Sequence, residues 1–372
     1  MNTQNRDVLI IGGGLAGLVS ALLLVRNGHQ PLLIEKKAYP FHRVCGEYVS
    51  NEVLDFLKRN KLYPDHLDLP QIHRFQFSDT RGSAVSTALD LGGFGISRYV
   101  WDDWLYQKAQ EEGVELKTGI QVEELEFDSE TDRFKVQLSD HSFLHAKIVL
   151  GAFGKRSKID RTLNRPFFFE RSPYIGVKYH VHSDFARDTV ALHNFEGGYC
   201  GINAVEEGKF NLCYLGSRDQ LRKFGSIEEM EKNVLRKNPI LNHIFENSTF
   251  LFEKPEVINE INFEPKAPVE NHVLMIGDAA GLITPLCGNG MAMAIHGAKL
   301  AVEAIQQGKN RLEIEQIYIR KWMDQFRFRL KVGRTVQRLF GSGQGSIIAR
   351  NLIQRVPFVS NLIIRNTHGK PF

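Results

Sequence analysis

An α/β fold with a parallel-sheet lobe, an interleaved antiparallel-sheet lobe and C-terminal helices is predicted by three observations. An apolar strand, Val8-Leu9-Ile10-Ile11, runs directly into Gly12-Gly13-Gly14-Leu15-Ala16-Gly17 and a helix-forming run. A second strand-to-glycine junction recurs far along the chain, where Val273-Leu274-Met275-Ile276 leads into Gly277-Asp278. Between them, stretches such as Tyr179-His180-Val181-His182 and Phe210-Asn211-Leu212-Cys213-Tyr214-Leu215 alternate apolar and polar residues, the pattern of antiparallel strands with two unlike faces.

The first junction has the chemistry of a dinucleotide cradle, and with it the lobe is Rossmann-like. Gly12 permits the tight turn. Gly14 lets the backbone approach a pyrophosphate on the helix N-terminus, which Leu15 and Ala16 open, and Gly17 lets that helix pack closely on the strand. The next strand, Pro31-Leu32-Leu33-Ile34, ends at Glu35, followed by Lys36. A carboxylate at that position accepts hydrogen bonds from ribose hydroxyls. Strand, glycines, helix, strand and acid in this order predict dinucleotide binding, but they do not separate a nicotinamide cofactor from a flavin.

Later segments separate them. Gly277-Asp278-Ala279-Ala280-Gly281 and Pro285-Leu286-Cys287-Gly288-Asn289-Gly290-Met291, followed by a helix of small residues, resemble the second flavin motif of the glutathione-reductase-like flavoproteins. That resemblance implies that Asp278, after Gly277, holds a ribityl hydroxyl and that Pro285, Gly288, Asn289, Gly290 and Met291 face the flavin. Helix N–H groups there stabilise negative charge on the reduced ring. Phe41-His42-Arg43-Val44-Cys45-Gly46-Glu47 and Ser97-Arg98-Tyr99-Val100-Trp101-Asp102 resemble cofactor-contact segments of the geranylgeranyl-reductase-like and aromatic-hydroxylase-like branches. The planar forks of Arg43 and Arg98 would bridge phosphate and hydroxyl oxygens, and Val122 is taken as a further cofactor contact.

The resemblance covers nearly the whole chain and implies FAD, with NAD(P)H as an external reductant. One departure bears on the latter: in Gly151-Ala152-Phe153-Gly154-Lys155-Arg156, Phe153 stands where the family usually carries an aspartate tied to nicotinamide handling. Lys155 and Arg156 read as solvated residues of an exposed turn. Gly281 resembles the reductase and halogenase branches and Arg43-Val44-Cys45-Gly46 the reductase branch, whereas the halogenase pattern of two tryptophans and a proline is missing. The lipid-binding pattern around Gly197-Gly198-Tyr199 is incomplete, with Gly201, Asn203 and Ala204 at its characteristic positions.

The segment order predicts a discontinuous FAD-binding lobe from residues 1–70, 96–162 and 270–305. A substrate lobe comes from 71–95 and 165–269, and a basic helical segment from 306–372. With 372 residues and 42% apolar content, the chain has ample material for two lobes. Its four cysteines are dispersed without a CxxC pair, so no metal site is expected. The opening strand leaves no room for a signal peptide and no run reaches membrane-spanning length, which predicts a cytoplasmic protein. From Arg320 onward, eleven lysines and arginines face one acid, Asp324, in a chain whose net charge is +4. Interleaved with Trp322, Phe326, Phe328 and Leu330, they suggest a peripheral membrane contact or a solvated basic helix that covers the cofactor lobe; no recognition module points to nucleic acid.

The functional expectation is an FAD-dependent reductase or dehydrogenase that moves hydride between flavin N5 and a small apolar unsaturated substrate, isoprenoid, lipid or polyketide-like. Cys45 and Glu47 are the candidates for proton delivery. Two alternatives stay open: an NAD(P)H- and O2-dependent monooxygenase acting through a C4a-hydroperoxide, and a flavin-binding protein without catalysis.

Overall fold

The computed structural model describes residues 4–259, 261–284, 288–337, 343–355 and 368–372. The two apolar runs near the start lie side by side as parallel strands Gln4–Ile11 and Pro31–Glu35, in register from Val8 with Pro31 to Ile11 with Ile34. Their Val, Leu and Ile side chains are buried on both faces, as unbroken apolar runs in a parallel sheet require. Around them the sheet runs Val269–Glu270, Val273–Met275, Phe143–Gly151, Gln4–Ile11, Pro31–Glu35, Glu115–Thr118. All neighbours in this order are parallel except the first pair. Helix Leu15–Arg26 is apolar nearly all round because it is packed against helices Gly290–Gln307 and Arg98–Glu111 as well as the sheet.

The second sheet runs Thr249–Phe250, Tyr174–His182, Phe210–Ser217, Gly198–Ala204, Thr189–Phe195, Gln71–Ser78, Ala84–Gly95, Tyr48–Ser50. It joins segments from both sides of the central cofactor-lobe stretch, and it is antiparallel with one exception. Thr189–Phe195 pairs with Gln71–Ser78 in parallel. No hairpin links these two strands, so nothing local imposes opposite directions on them. One face of this sheet packs Tyr179, Leu212 and Tyr214 against Met230, Leu241 and Phe245 of short helices. The other carries Phe77, Leu192, Tyr199 and Leu215 toward Ile261, Leu282 and Ala349. The fold is thus the α/β arrangement read from the sequence, with two sheets and C-terminal helices Arg311–Gln337 and Gly343–Arg355. No described helix is long and apolar enough to cross a membrane.

On the helix-covered face, Glu231 accepts hydrogen bonds from Tyr179 (3.0 Å) and Tyr214 (2.8 Å). Burial pushes its carboxyl up to about 7 although both hydroxyls act in the opposite direction. A carboxyl whose folded value lies above its unfolded one gives stability at low pH that is lost as pH rises from about 4.5 to 7. Glu231→Gln keeps an acceptor for both tyrosines and removes that loss. Urea melts should show the variant equal to the parent near pH 4.5 and more stable by about 2–3 kcal/mol at pH 8.5; parallel pH profiles would refute the assignment.

Candidate cofactor and substrate site

A cavity of about 1050 Å³ opens at the carboxyl ends of Gln4–Ile11, Pro31–Glu35 and Phe143–Gly151 and reaches across to the second sheet. Ligands of open α/β sheets bind at this end of the strands. The glycine turn is built as the sequence suggests. Gly12 has φ +107°, and a Cβ there would meet the Ala152 carbonyl oxygen at 2.5 Å. A Cβ on Gly17 would sit 2.0 Å from the Gly12 carbonyl oxygen, so only glycine allows the helix this close. Gly17 therefore works behind the turn, while Gly12, Gly14, Leu15 and Ala16 line the cavity. Helix Leu15–Arg26 begins at Gly14 without a side-chain cap, leaving its first N–H groups directed at the cavity end.

Glu35 lies buried at the strand end, accepting from the Gly13 N–H at 2.9 Å and the Lys37 N–H at 3.1 Å. Lys36 lines the outer cavity and is exposed. The two arginines converge on one buried carboxylate. Arg98 grips Asp102 with two hydrogen bonds of 2.7 Å, and Arg43 donates to the same group at 3.0 Å while reaching Glu35 at 3.3 Å. Asp102 thereby holds both guanidinium groups beside Gly14, where a Cβ would come 3.2 Å from an Arg98 nitrogen. Val122 lines the cavity from the start of its strand.

The second glycine junction meets the first at the same cavity. Gly277, in the left-handed region at φ +60°, and Asp278 line it, as do Gly288, Asn289, Gly290 and Met291. Helix Gly290–Gln307 also starts without a side-chain cap, at Asn289; the Asn289 side chain donates instead to buried Glu52 at 2.9 Å. Pro285 lies outside the described residues.

Cys45 and Glu47 also line the cavity, but the structure corrects the role expected of Glu47. It is fully buried and sits at φ 52°. One carboxylate oxygen accepts from Lys178 and from the Arg98 backbone N–H, the other pairs with His180 at 2.6 Å. Burial alone would raise its carboxyl, but the Lys178 charge and the hydrogen bonds from His180 and Lys178 outweigh that and hold it at about 2. A group so firmly ionised is no acid near neutrality. Cys45 stays half-buried and free, its carbonyl accepting from Asn211 at 3.2 Å. His42 stacks on Tyr99 (4.4 Å between centroids) and lies 4.6 Å from Phe252. Burial, reinforced by the nearby Lys178 and His180 charges, pushes it down to about 4.

The turn after the central strand also departs from expectation. Lys155 donates to the Val44 carbonyl at 3.2 Å and Arg156 to the Phe168 carbonyl at 2.6 Å, so both tie the cavity wall together rather than standing in solvent. Sequence reasoning missed Lys178, His180, Asn203 and Asn211, which anchor the loop Phe41–Glu47 to the second sheet. Part of their signal was present: Lys178 and His180 are polar residues two apart on one strand, whereas Asn203 and Asn211 come together only by pairing across two strands.

Residues 5–307 match the sequence profile described as FAD binding domain. The chain belongs to this family. Its members are FAD-dependent oxidoreductases, and FAD is the cofactor of this flavoprotein, as the motifs implied. The flavoprotein is similar to digeranylgeranylglycerophospholipid reductase of Methanosarcina acetivorans, 27% identical over 341 residues that cover 86% of this chain and 80% of the relative. It is also similar to conditioned medium factor receptor 1 of Dictyostelium discoideum, 25% identical over 356 residues. That match covers 86% of this chain but 66% of the relative, just under two thirds of its length. Among solved structures, a flavin-dependent brominase shares the fold with a TM-score of 0.77 at 18% identity, covering 97% of this chain and 92% of that one.

The residues present fit FAD. Two uncapped helix starts, glycines that admit no Cβ, a carboxylate at the second strand end and two fixed arginines suit pyrophosphate, ribose and flavin in turn. Gly12, Gly14, Glu35, Arg43 and Arg98 would hold the dinucleotide half, and Asp278 with Gly288–Met291 the flavin half.

Removing one member of a buried ion pair strands the other. Glu47→Gln should cost about 3–5 kcal/mol in a urea melt, with lower FAD retention. The double variant Glu47→Gln, Lys178→Met should recover at least about 1 kcal/mol of that. The parent's Glu47 contribution should be complete above pH 4.5 and lost as pH falls toward 2. A double variant weaker than the single one would show that Lys178 is not the partner that matters.

Proposed function

We propose that this flavoprotein reduces a carbon–carbon double bond in an extended apolar substrate of isoprenoid or lipid-like character. The observation that carries the reading is the continuity of the cavity. Beyond the cofactor motifs its wall becomes apolar, formed by Phe75, Phe77, Leu192, Leu215, Ile261 and Leu352 among others. A single enclosure of this kind has room for a long apolar chain alongside the flavin half of the site, which supports the reading. The similarity to a relative named as a digeranylgeranylglycerophospholipid reductase supports the same substrate class.

FAD, once reduced by an external two-electron donor, would supply the hydride when bound. The chain's own residues do the rest. The apolar wall excludes water and aligns the substrate, and Asp102 keeps Arg43 and Arg98 on the dinucleotide. Hydride added to one carbon of the double bond requires a proton on its neighbour, and Cys45 is the cavity-lining side chain assigned to give it. Its Sγ–H bond breaks as the new C–H bond forms, and solvent reprotonates the thiolate. Glu47, held as a carboxylate, orients the loop that carries Cys45 and gives no proton itself.

The test uses FAD-loaded protein reduced with dithionite under nitrogen and mixed with geranylgeraniol in detergent. A product heavier by two hydrogens, with return of oxidised flavin absorbance, is expected. A product that carries oxygen and forms only in air would overturn the reading in favour of hydroxylation. Flavin that stays reduced without product would favour a protein that binds FAD but does not turn over. Cys45→Ser should slow single-turnover flavin reoxidation by substrate about 10²–10⁴-fold with unchanged FAD content.

A further inference from the structure

The two C-terminal helices carry exposed apolar and cationic side chains that, Leu352 apart, take no part in the cavity or the core. Of the eleven large apolar side chains exposed among the described residues, six belong to these helices: Leu312, Ile319, Met323, Phe328, Ile348 and Leu352. Phe328 is 60% exposed and Ile348 54%, and Ile319 and Met323 stand one turn apart on the same helix face. On helix Arg311–Gln337 they alternate with exposed Arg320, Arg327 and Lys331, none of which makes an ion pair among the described residues. Between Arg320 and Lys331 the other two cations are engaged, Lys321 with Glu303 at 2.7 Å and Arg329 with Glu52 at 3.0 Å, and the one acid is exposed Asp324.

This surface adjoins the cavity. Helix Arg311–Gln337 ends where Gln337 meets Tyr199 of the cavity wall at 3.4 Å. Helix Gly343–Arg355 turns Ala349 and Ile353 inward to line the cavity, and Ile348 outward. Leu352 does both, lining the cavity while 40% exposed. It therefore sits at the rim.

We propose that these two helices dock the protein on an anionic lipid bilayer, with the substrate entering the cavity past Leu352. Arg320, Arg327 and Lys331 meet the headgroup charge, and Phe328, Ile348 and Leu352 enter the interface. An exposed cationic face interleaved with aromatic and aliphatic side chains fits a bilayer better than nucleic acid, whose phosphates offer nothing to the apolar half. The entry route rests on the apolar-substrate reading; docking does not.

The test is co-sedimentation of FAD-loaded protein with vesicles of phosphatidylcholine alone or mixed with phosphatidylglycerol. Binding is expected to the mixed vesicles, to fall steeply with added salt, and to drop at least about a hundredfold in the triple variant Arg320→Glu, Arg327→Glu, Lys331→Glu, at about fivefold per cation lost. Ile348→Ser should weaken what binding survives in high salt. Equal binding to neutral vesicles, no binding to either, unchanged binding of the charge-reversed variant, or retention on duplex DNA without retention on vesicles would overturn the proposal. Should the variant fold poorly, the lipid and salt dependence of the parent decide alone. Turnover of detergent-dispersed geranylgeraniol by a protein that ignores vesicles would sink docking while leaving the reductase reading intact.

Discussion

The site depends on one buried carboxylate. Glu47 belongs to the loop that leaves the second strand of the cofactor sheet, yet its charge is balanced by Lys178, and its other oxygen is paired with His180, on a strand of the other sheet. An unpaired carboxylate at this depth would cost several kcal/mol. The charge therefore has a place to stay only when the two sheets are assembled in this arrangement. The same carboxylate accepts the Arg98 backbone N–H, so the start of helix Arg98–Glu111 is set by the contact that joins the lobes. Placement of Cys45, two residues before Glu47, follows from this anchor together with Asn211.

Around that anchor the cofactor end is a set of backbone constraints held by a few side chains. Glycines at 12 and 17 are required by approaches of 2.5 Å and 2.0 Å that no Cβ tolerates. The arginines gain their geometry from Asp102, which is nearly inaccessible to solvent. At the substrate end the constraints change character, and packing of apolar side chains from several strands and the last helix shapes the volume. The directional end suits a polar cofactor, and the apolar end suits a substrate with few polar handles.

Legibility in the sequence followed the range of each interaction. The glycine turns, Glu35, the second motif and the alternating strands are local patterns, and a local pattern shows itself within a dozen residues. Arg43 and Arg98 were legible through family resemblance, but their common partner Asp102 gives them meaning only in three dimensions. Glu47 was misread as an acid because its partners lie 131 and 133 residues away, and a carboxyl's proton affinity is set by whatever surrounds it. Lys155 and Arg156 were misread for the same reason: a basic turn looks solvated until the carbonyls it binds are known. The parallel pairing of Thr189–Phe195 with Gln71–Ser78 escaped notice because alternation marks a strand without giving its direction.

The sharing of Asp102 has a consequence for how the flavin is retained. Arg43 and Arg98 carry two formal positive charges, and Asp102 with Glu35 carries two negative ones, so this corner is close to neutral before any phosphate arrives. Attraction for a pyrophosphate then comes mainly from aligned N–H dipoles at the start of helix Leu15–Arg26 and from directed guanidinium hydrogens, short-range forces that act inside a cavity, where dissolved ions screen less than at an exposed surface. Retention of the cofactor is accordingly a matter of fit rather than of long-range charge, and the flavin should withstand ionic strengths that would strip the protein from a charged surface.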